Sequence, residues 1–123
     1  MAVHDRSAFV AISARLVFEL DKHVPEVEDL IANWLDMEQY QRLSSSIDRM
    51  GRYCDAVPHL VGPWAEVLIS HTQLIHCAWD TARKGLSVAD APLVDSLLKL
   101  HVLALGRARE AAAWVTDNRG KSH

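Results

Sequence analysis

Residues 64–82 read WAEVLISHTQLIHCAWDTA, and their spacing decides the fold class. Trp64, Val67, Leu68, His71, Leu74, Ile75, Ala78 and Ala82 recur at steps of three and four. That is one face of a helix, not the two-residue alternation of a strand. Pro63 precedes the stretch, and the first turn of a helix tolerates a missing N–H. Arg83 and Lys84 suit the negative end of the helix dipole, and Gly85 is a good terminator. The pattern predicts a helix over 63–84.

The same period continues in both directions. Downstream, Asp90 is a candidate cap and Pro92 fits the first turn of a helix over 91–117. Its face is Leu93, Leu97, Leu98, His101, Leu105, Ala108, Ala112 and Val115. Upstream, Phe9, Ile12, Leu16 and Leu20 predict a helix over 7–22, capped by Asp5 or Ser7. Pro25 then opens a helix over 25–38, with Val27, Leu30, Ile31 and Trp34 facing inward. Leu43, Ile47, Met50, Cys54 and Val57 predict another over 43–57. At ~100° per residue, Leu43 lies roughly opposite Trp34 on a straight helix. A break between 38 and 46 resolves the conflict, and the Ser44-Ser45-Ser46 run is where it is expected. Pro58, Gly62 and Pro63 are expected to form a loop.

The expected architecture is therefore all-α: an antiparallel bundle of four to five helices, one domain over 1–123, with a loose polar tail at 118–123. Composition agrees. The chain has 123 residues, 50% of them hydrophobic, with 5 Gly and 4 Pro, which excludes disordered and low-complexity classes. A net charge of −3 gives no broad basic footprint, so nucleic acid is not an expected partner. The longest uncharged run, residues 67–79, falls short of the ~20 residues of a membrane span. Asp5, Arg6 and Arg15 interrupt any secretory leader pattern, and Cys54 and Cys77 are too few for a disulfide framework. The expected setting is cytoplasmic, with both thiols free.

Four features bear on function. His71 and His101 sit mid-stripe on consecutive helices, at heights that differ by roughly 5 Å at ~1.5 Å rise per residue. Their spacing allows a meeting in the core without fixing it, either as two hydrogen-bonded core histidines or as a metal or ligand site. Between residues 19 and 38 lie seven carboxylates and one base, with Glu26, Glu28 and Asp29 in one helical turn. That turn complements the helix dipole, and it also offers a docking face to a basic partner. Trp79 and Trp114 lie near stripe edges and are the aromatic contact candidates, whereas Trp34 and Trp64 are assigned to the core. Residues 97–105, LLKLHVLAL, are apolar nearly all round, so the last helix must be covered on most sides.

No phosphate loop, nucleophile elbow or zinc-protease motif occurs, so no catalytic residue and no cofactor is assigned. The leading expectation is a non-enzymatic protein–protein interaction module of the adaptor, chaperone, immunity or inhibitor kind. It would act through Glu26, Glu28, Asp29, Trp79 and Trp114, as a homodimer joined through the last helix. The alternatives are a ligand- or metal-binding bundle using His71 and His101, and a magnesium-dependent nucleotide hydrolase using Glu26 and Asp29.

Overall fold

The computed structural model describes the backbone of residues 2–34 and 36–117, and side chains from residue 6 onward. The tail expected at 118–123 lies outside the described residues. Four helices make up the fold: α1 (Ala2–Ala32), α2 (Met37–Asp55), α3 (Pro58–Arg83) and α4 (Pro92–Asp117). The described residues contain no strand. The helices pack in a ring, α1 on α2, α2 on α3, α3 on α4 and α4 back on α1. Cross-helix pairs fix the antiparallel sense. Glu66 meets Arg107, and His59 meets Trp114, so α3 and α4 run opposite ways. Glu19–Arg49 and His23–Ser46 do the same for α1 and α2.

The core lies on the bundle axis and contains Leu16, Leu20, Leu30, Met50, Leu60, Leu74 and Leu105, all fully buried. Trp64 is buried in it, and Trp34 packs against it half-buried. None of the helices is long and apolar enough to cross a membrane.

The helix boundaries depart from the sequence expectation in four places, each with a physical cause. Helices expected at 7–22 and 25–38 are one continuous α1, with Pro25 inside it. Leu16, Leu20, His23, Val27 and Leu30 form an unbroken buried stripe across the proline. Pro25 is on the exposed side, where the unbonded carbonyl of the preceding turn meets water. Because α1 starts at Ala2, Asp5 and Ser7 are inside the helix and do not cap it. The break expected between 38 and 46 falls earlier, at residues 33–36. Asp36 caps α2 by accepting from the Gln39 amide at 3.0 Å, and the serine run lies inside α2 with Ser46 buried.

The expected loop at Pro58, Gly62 and Pro63 is the opening of α3. Val57 is its N-cap, and Pro58 begins the helix. Finally, Ala91 rather than Asp90 caps α4, because the Asp95 amide donates to the Ala91 carbonyl at 3.0 Å. The α3 terminus is as read. Gly85 has φ 75°, its amide donates to Ala82, and the Leu86 amide donates back to Thr81. This pair of bonds is a Schellman cap, which needs the left-handed residue that glycine supplies.

Two helix-interior glycines give a contrasting prediction. A Cβ at position 106 would meet nothing within 4 Å, whereas one at position 51 would stand 3.1 Å from Trp64 Nε1. Gly106→Ala is expected to raise stability by about 0.5–1 kcal/mol. At Gly51→Ala the same gain is offset by displacement of the Trp64 indole, so no stabilisation is expected. Urea midpoints of the two variants check this.

Candidate functional site: a buried histidine cluster

α1, α3 and α4 each direct one imidazole at the bundle axis. His23 and His101 are completely buried, and His71 is half-buried beside them. The His71 and His101 rings are 5.5 Å apart, and His23 stands edge-on to His101 at 6.4 Å. The meeting of His71 and His101 is one that their spacing about the α3–α4 turn allows.

Sequence reasoning missed His23. It sits between Lys22 and Val24, next to a proline read as a helix start. Its signal was the step from Leu20 to His23 to Val27, which keeps the core stripe in phase only if the histidine is counted as a core residue.

Two serines hold the rings. Ser70 Oγ donates its single hydrogen to the Val67 carbonyl at 3.0 Å and contacts His101 Nδ1 at 2.7 Å. When that hydrogen is on Val67, His101 Nδ1 carries the proton and donates to Ser70 Oγ. His101 Nε2 is then a bare lone pair inside the core. Ser46 of α2 contacts His23 Nδ1 at 3.3 Å. His23 Nε2, His101 Nε2 and His71 Nδ1 are buried with no protein hydrogen-bond partner.

Such a site disfavours positive charge. Burial, followed by the proximity of His71 and His23, pushes the His101 pKa down to about 3. Burial and then His71 push His23 down to about 4, and Glu19 opposes the shift. Burial lowers His71 as well, opposed by Asp48. All three are therefore neutral at pH 7.

No three His, Cys, Asp or Glu side chains among the described residues are arranged to hold a metal ion. That includes the His71–His101 pair with any third such ligand. Cys54 is a buried thiol whose pKa burial drives up to about 12, which makes it a poor nucleophile; Cys77 is half-buried and also free.

Ser46 also lines a polar cleft of about 390 Å³ between α1 and α2. Glu19, Lys22 and Glu26 line its α1 side, and Glu38, Arg42 and Arg49 are on its α2 side. Glu19 is buried between Arg15 and Arg49, at 2.9 Å from each. Burial works to raise its pKa, but the Arg49 hydrogen bond and the charges of Arg49 and Arg15 outweigh it and hold the carboxyl below its usual range.

The acidic turn is exposed but not uniformly acidic. Glu26 faces the cleft with its three cations. Glu28 is exposed. Asp29 accepts from Asn33 Nδ2 at 3.0 Å and from Gln39 Nε2 at 2.8 Å, so it ties the α1–α2 corner together.

Trp79 is 37% exposed and packs edge to face with Trp34 at 5.2 Å and Tyr40 at 6.0 Å. Trp114 is 54% exposed and lies over His59 at 4.6 Å, far along the bundle from Trp79. The two tryptophans therefore do not share one surface with the acidic turn.

Further apolar side chains are exposed on the outer sides of these helices. Ile69 of α3 and Leu93, Leu100, Leu103 and Trp114 of α4 are among them, while Val61 and Leu68 are exposed on the other flank of α3, away from His59 and Glu66. On α4 the four recur at positions that share one helical face. The Glu66–Arg107 and His59–Trp114 contacts bridge the α3–α4 seam on this outer side.

No protein-family model matches the chain, and searches of curated proteins and of solved structures give no match either.

Proposed function

We propose that this chain is a non-enzymatic interaction module that pairs with a second copy of itself through the outer face of α3 and α4. The supporting observation is the set of exposed apolar side chains on that face: Ile69, Leu93, Leu100, Leu103 and Trp114. Monomeric proteins seldom expose contiguous apolar patches beyond a few hundred Å². Two 26-residue helices at ~1.5 Å rise per residue and ~10 Å spacing present a face on the order of 800 Å². That is the area each partner contributes to a standard interface.

Charge supports a self-complementary contact. Glu66 and Arg107 sit on this face, 3.8 Å apart and more than half exposed. A two-fold axis close to them brings each against its opposite in the second copy, as an isologous interface requires. The exposed acidic residues Glu26 and Glu28, with Trp79 near the same corner, remain available to a further, basic protein partner. Two free thiols accord with a cytoplasmic setting.

Sedimentation equilibrium at micromolar concentration tests the reading. The expected mass is twice the 13.8 kDa of the chain. A single-chain mass at every concentration up to the millimolar range overturns it.

A further inference from the structure

The buried imidazoles are unusual in number and in placement. One would be an ordinary core histidine with a serine partner. Here three come from three helices, and each has a buried nitrogen with no protein partner. Their rings stand 5.5 and 6.4 Å apart, so a charge on one is felt directly by the next. We infer that the His23–His71–His101 cluster is an acid-operated latch whose protonation opens the bundle around it.

The charged groups facing the cluster set the order of events. From α1, Glu19 lies one turn before His23, but Arg15 and Arg49 already engage it. From α2, Ser46 touches His23, and Asp48 favours charge on His71. α3 supplies Ser70 and His71 itself. α4 supplies His101, whose surroundings disfavour charge: burial, His71 and His23 all act against it, and no carboxylate opposes them. His71 is the least buried of the three and accepts a proton most readily. Its charge then disfavours protonation of both neighbours within the closed bundle. Further acidification is therefore relieved by opening rather than by charging the core.

The opening has to reach α4, whose contacts with α3 and α1 are the broadest in the fold. This helix packs between α1 and α3 and carries His101 at its centre. Arg109 pairs with Asp21 on α1, and Arg107 makes a long pair with Glu66 on α3, both on the surface. The α1–α2 seam is tied more deeply, by the buried Glu19 and by Gln39 to Asp29. Opening around His101 uncovers Leu105, Ala108 and Ala112 together with the apolar stripes of α1 and α3.

The test follows tertiary structure in the full chain, by near-ultraviolet circular dichroism and binding of an apolar dye, from pH 7.5 to 3. The expected result is a cooperative loss of tertiary signal with dye uptake, while much of the helical signal survives. His101→Leu removes the central titrating group and leaves Ser70 bonded to Val67. In this variant the opening midpoint is expected to fall by at least one pH unit. Asp21→Asn removes the Arg109 tie without touching the cluster, and the opening is expected to persist. Equal midpoints for native chain and His101→Leu overturn the proposal.

Imidazole proton resonances of the native chain give a readout that needs no variant. The His71 signal is expected to shift first, while those of His23 and His101 stay in the neutral position until the bundle opens. Protonation of all the histidines with tertiary structure intact also overturns it.

Discussion

Lowering the pH from 6.5 to 4 is expected to remove several kcal/mol from the folding free energy of this chain. His23 and His101 are fully buried, with pKa values pushed from the ordinary 6.5 down to about 4 and about 3. The unfolded chain binds protons at these residues first, so stability rises with pH across this window and falls on acidification. It is fully present above 6.5. It is lost progressively down to about 4 for His23, and further down for His101. At 1.36 kcal/mol per unit, His23 contributes roughly 3 kcal/mol, and His101 contributes roughly as much by pH 4. Domains of this size hold about 5–15 kcal/mol in total, so the loss consumes a large share.

Carboxylates overlap this window only at its acid end. Glu19, Asp21 and Asp80 have pKa values lowered from 4.5, 3.8 and 3.8, so their contribution is present above those values and is lost as the pH falls below them. Urea unfolding at pH 7, 5.5 and 4.5 is therefore a clean comparison. The midpoint is expected to fall at each step, and a midpoint constant across the three contradicts the linkage.

Much of the architecture was legible in the sequence because helical period survives local irregularity. The stripe from Trp64 to Ala82 and the one from Leu93 to Val115 define α3 and α4, and Gly85 marks the turn between them. Their spacing about that turn allows His71 and His101 to meet, and the fold brings the rings to 5.5 Å. Misreadings cluster at proline and serine. Pro25 and Pro63 look like boundaries, because an interior proline costs a backbone hydrogen bond. Both lie within helices here, because the packing of α1 and α3 outweighs one lost bond. Ser44, Ser45 and Ser46 looked like a break because serine competes for backbone groups. Ser46 instead points into the core, and Asp36 provides the cap.

The third histidine was hidden by the same error. With α1 cut at Lys22, His23 belonged to a linker, and no stripe included it. Tertiary information also decided the fate of the acidic turn. Sequence spacing puts Glu26, Glu28 and Asp29 together, but it cannot reveal that Gln39, ten residues on, reaches back to Asp29. Nor can it show that Arg42 and Arg49 share the cleft with Glu26. The apolar excess of residues 97–105 was plain. What the fold adds is its direction, because Leu100 and Leu103 face out while His101 and Leu105 face in.

That direction gives the second large effect. Leu103→Glu, or Leu100→Glu, is expected to convert a dimer of this chain to monomer without unfolding it. Both leucines are more than half exposed in the single chain, so the monomer should change in stability by only about 0.5 kcal/mol. In the paired state each would lie within the α3–α4 face. A carboxylate buried there without a partner costs about 2 kcal/mol or more. Two-fold symmetry introduces every substitution twice, so the penalty is ~4 kcal/mol, or roughly a thousand-fold in dissociation constant. Phe18→Glu is the matched control. Phe18 is equally exposed, but it lies on α1 beneath Arg15 and Lys22, away from the α3–α4 face. It should leave the mass unchanged. Helical circular dichroism should be the same for all three proteins. If Leu103→Glu sediments like the native chain, the α3–α4 face is not the contact. If Phe18→Glu alone dissociates the dimer, the contact lies on α1.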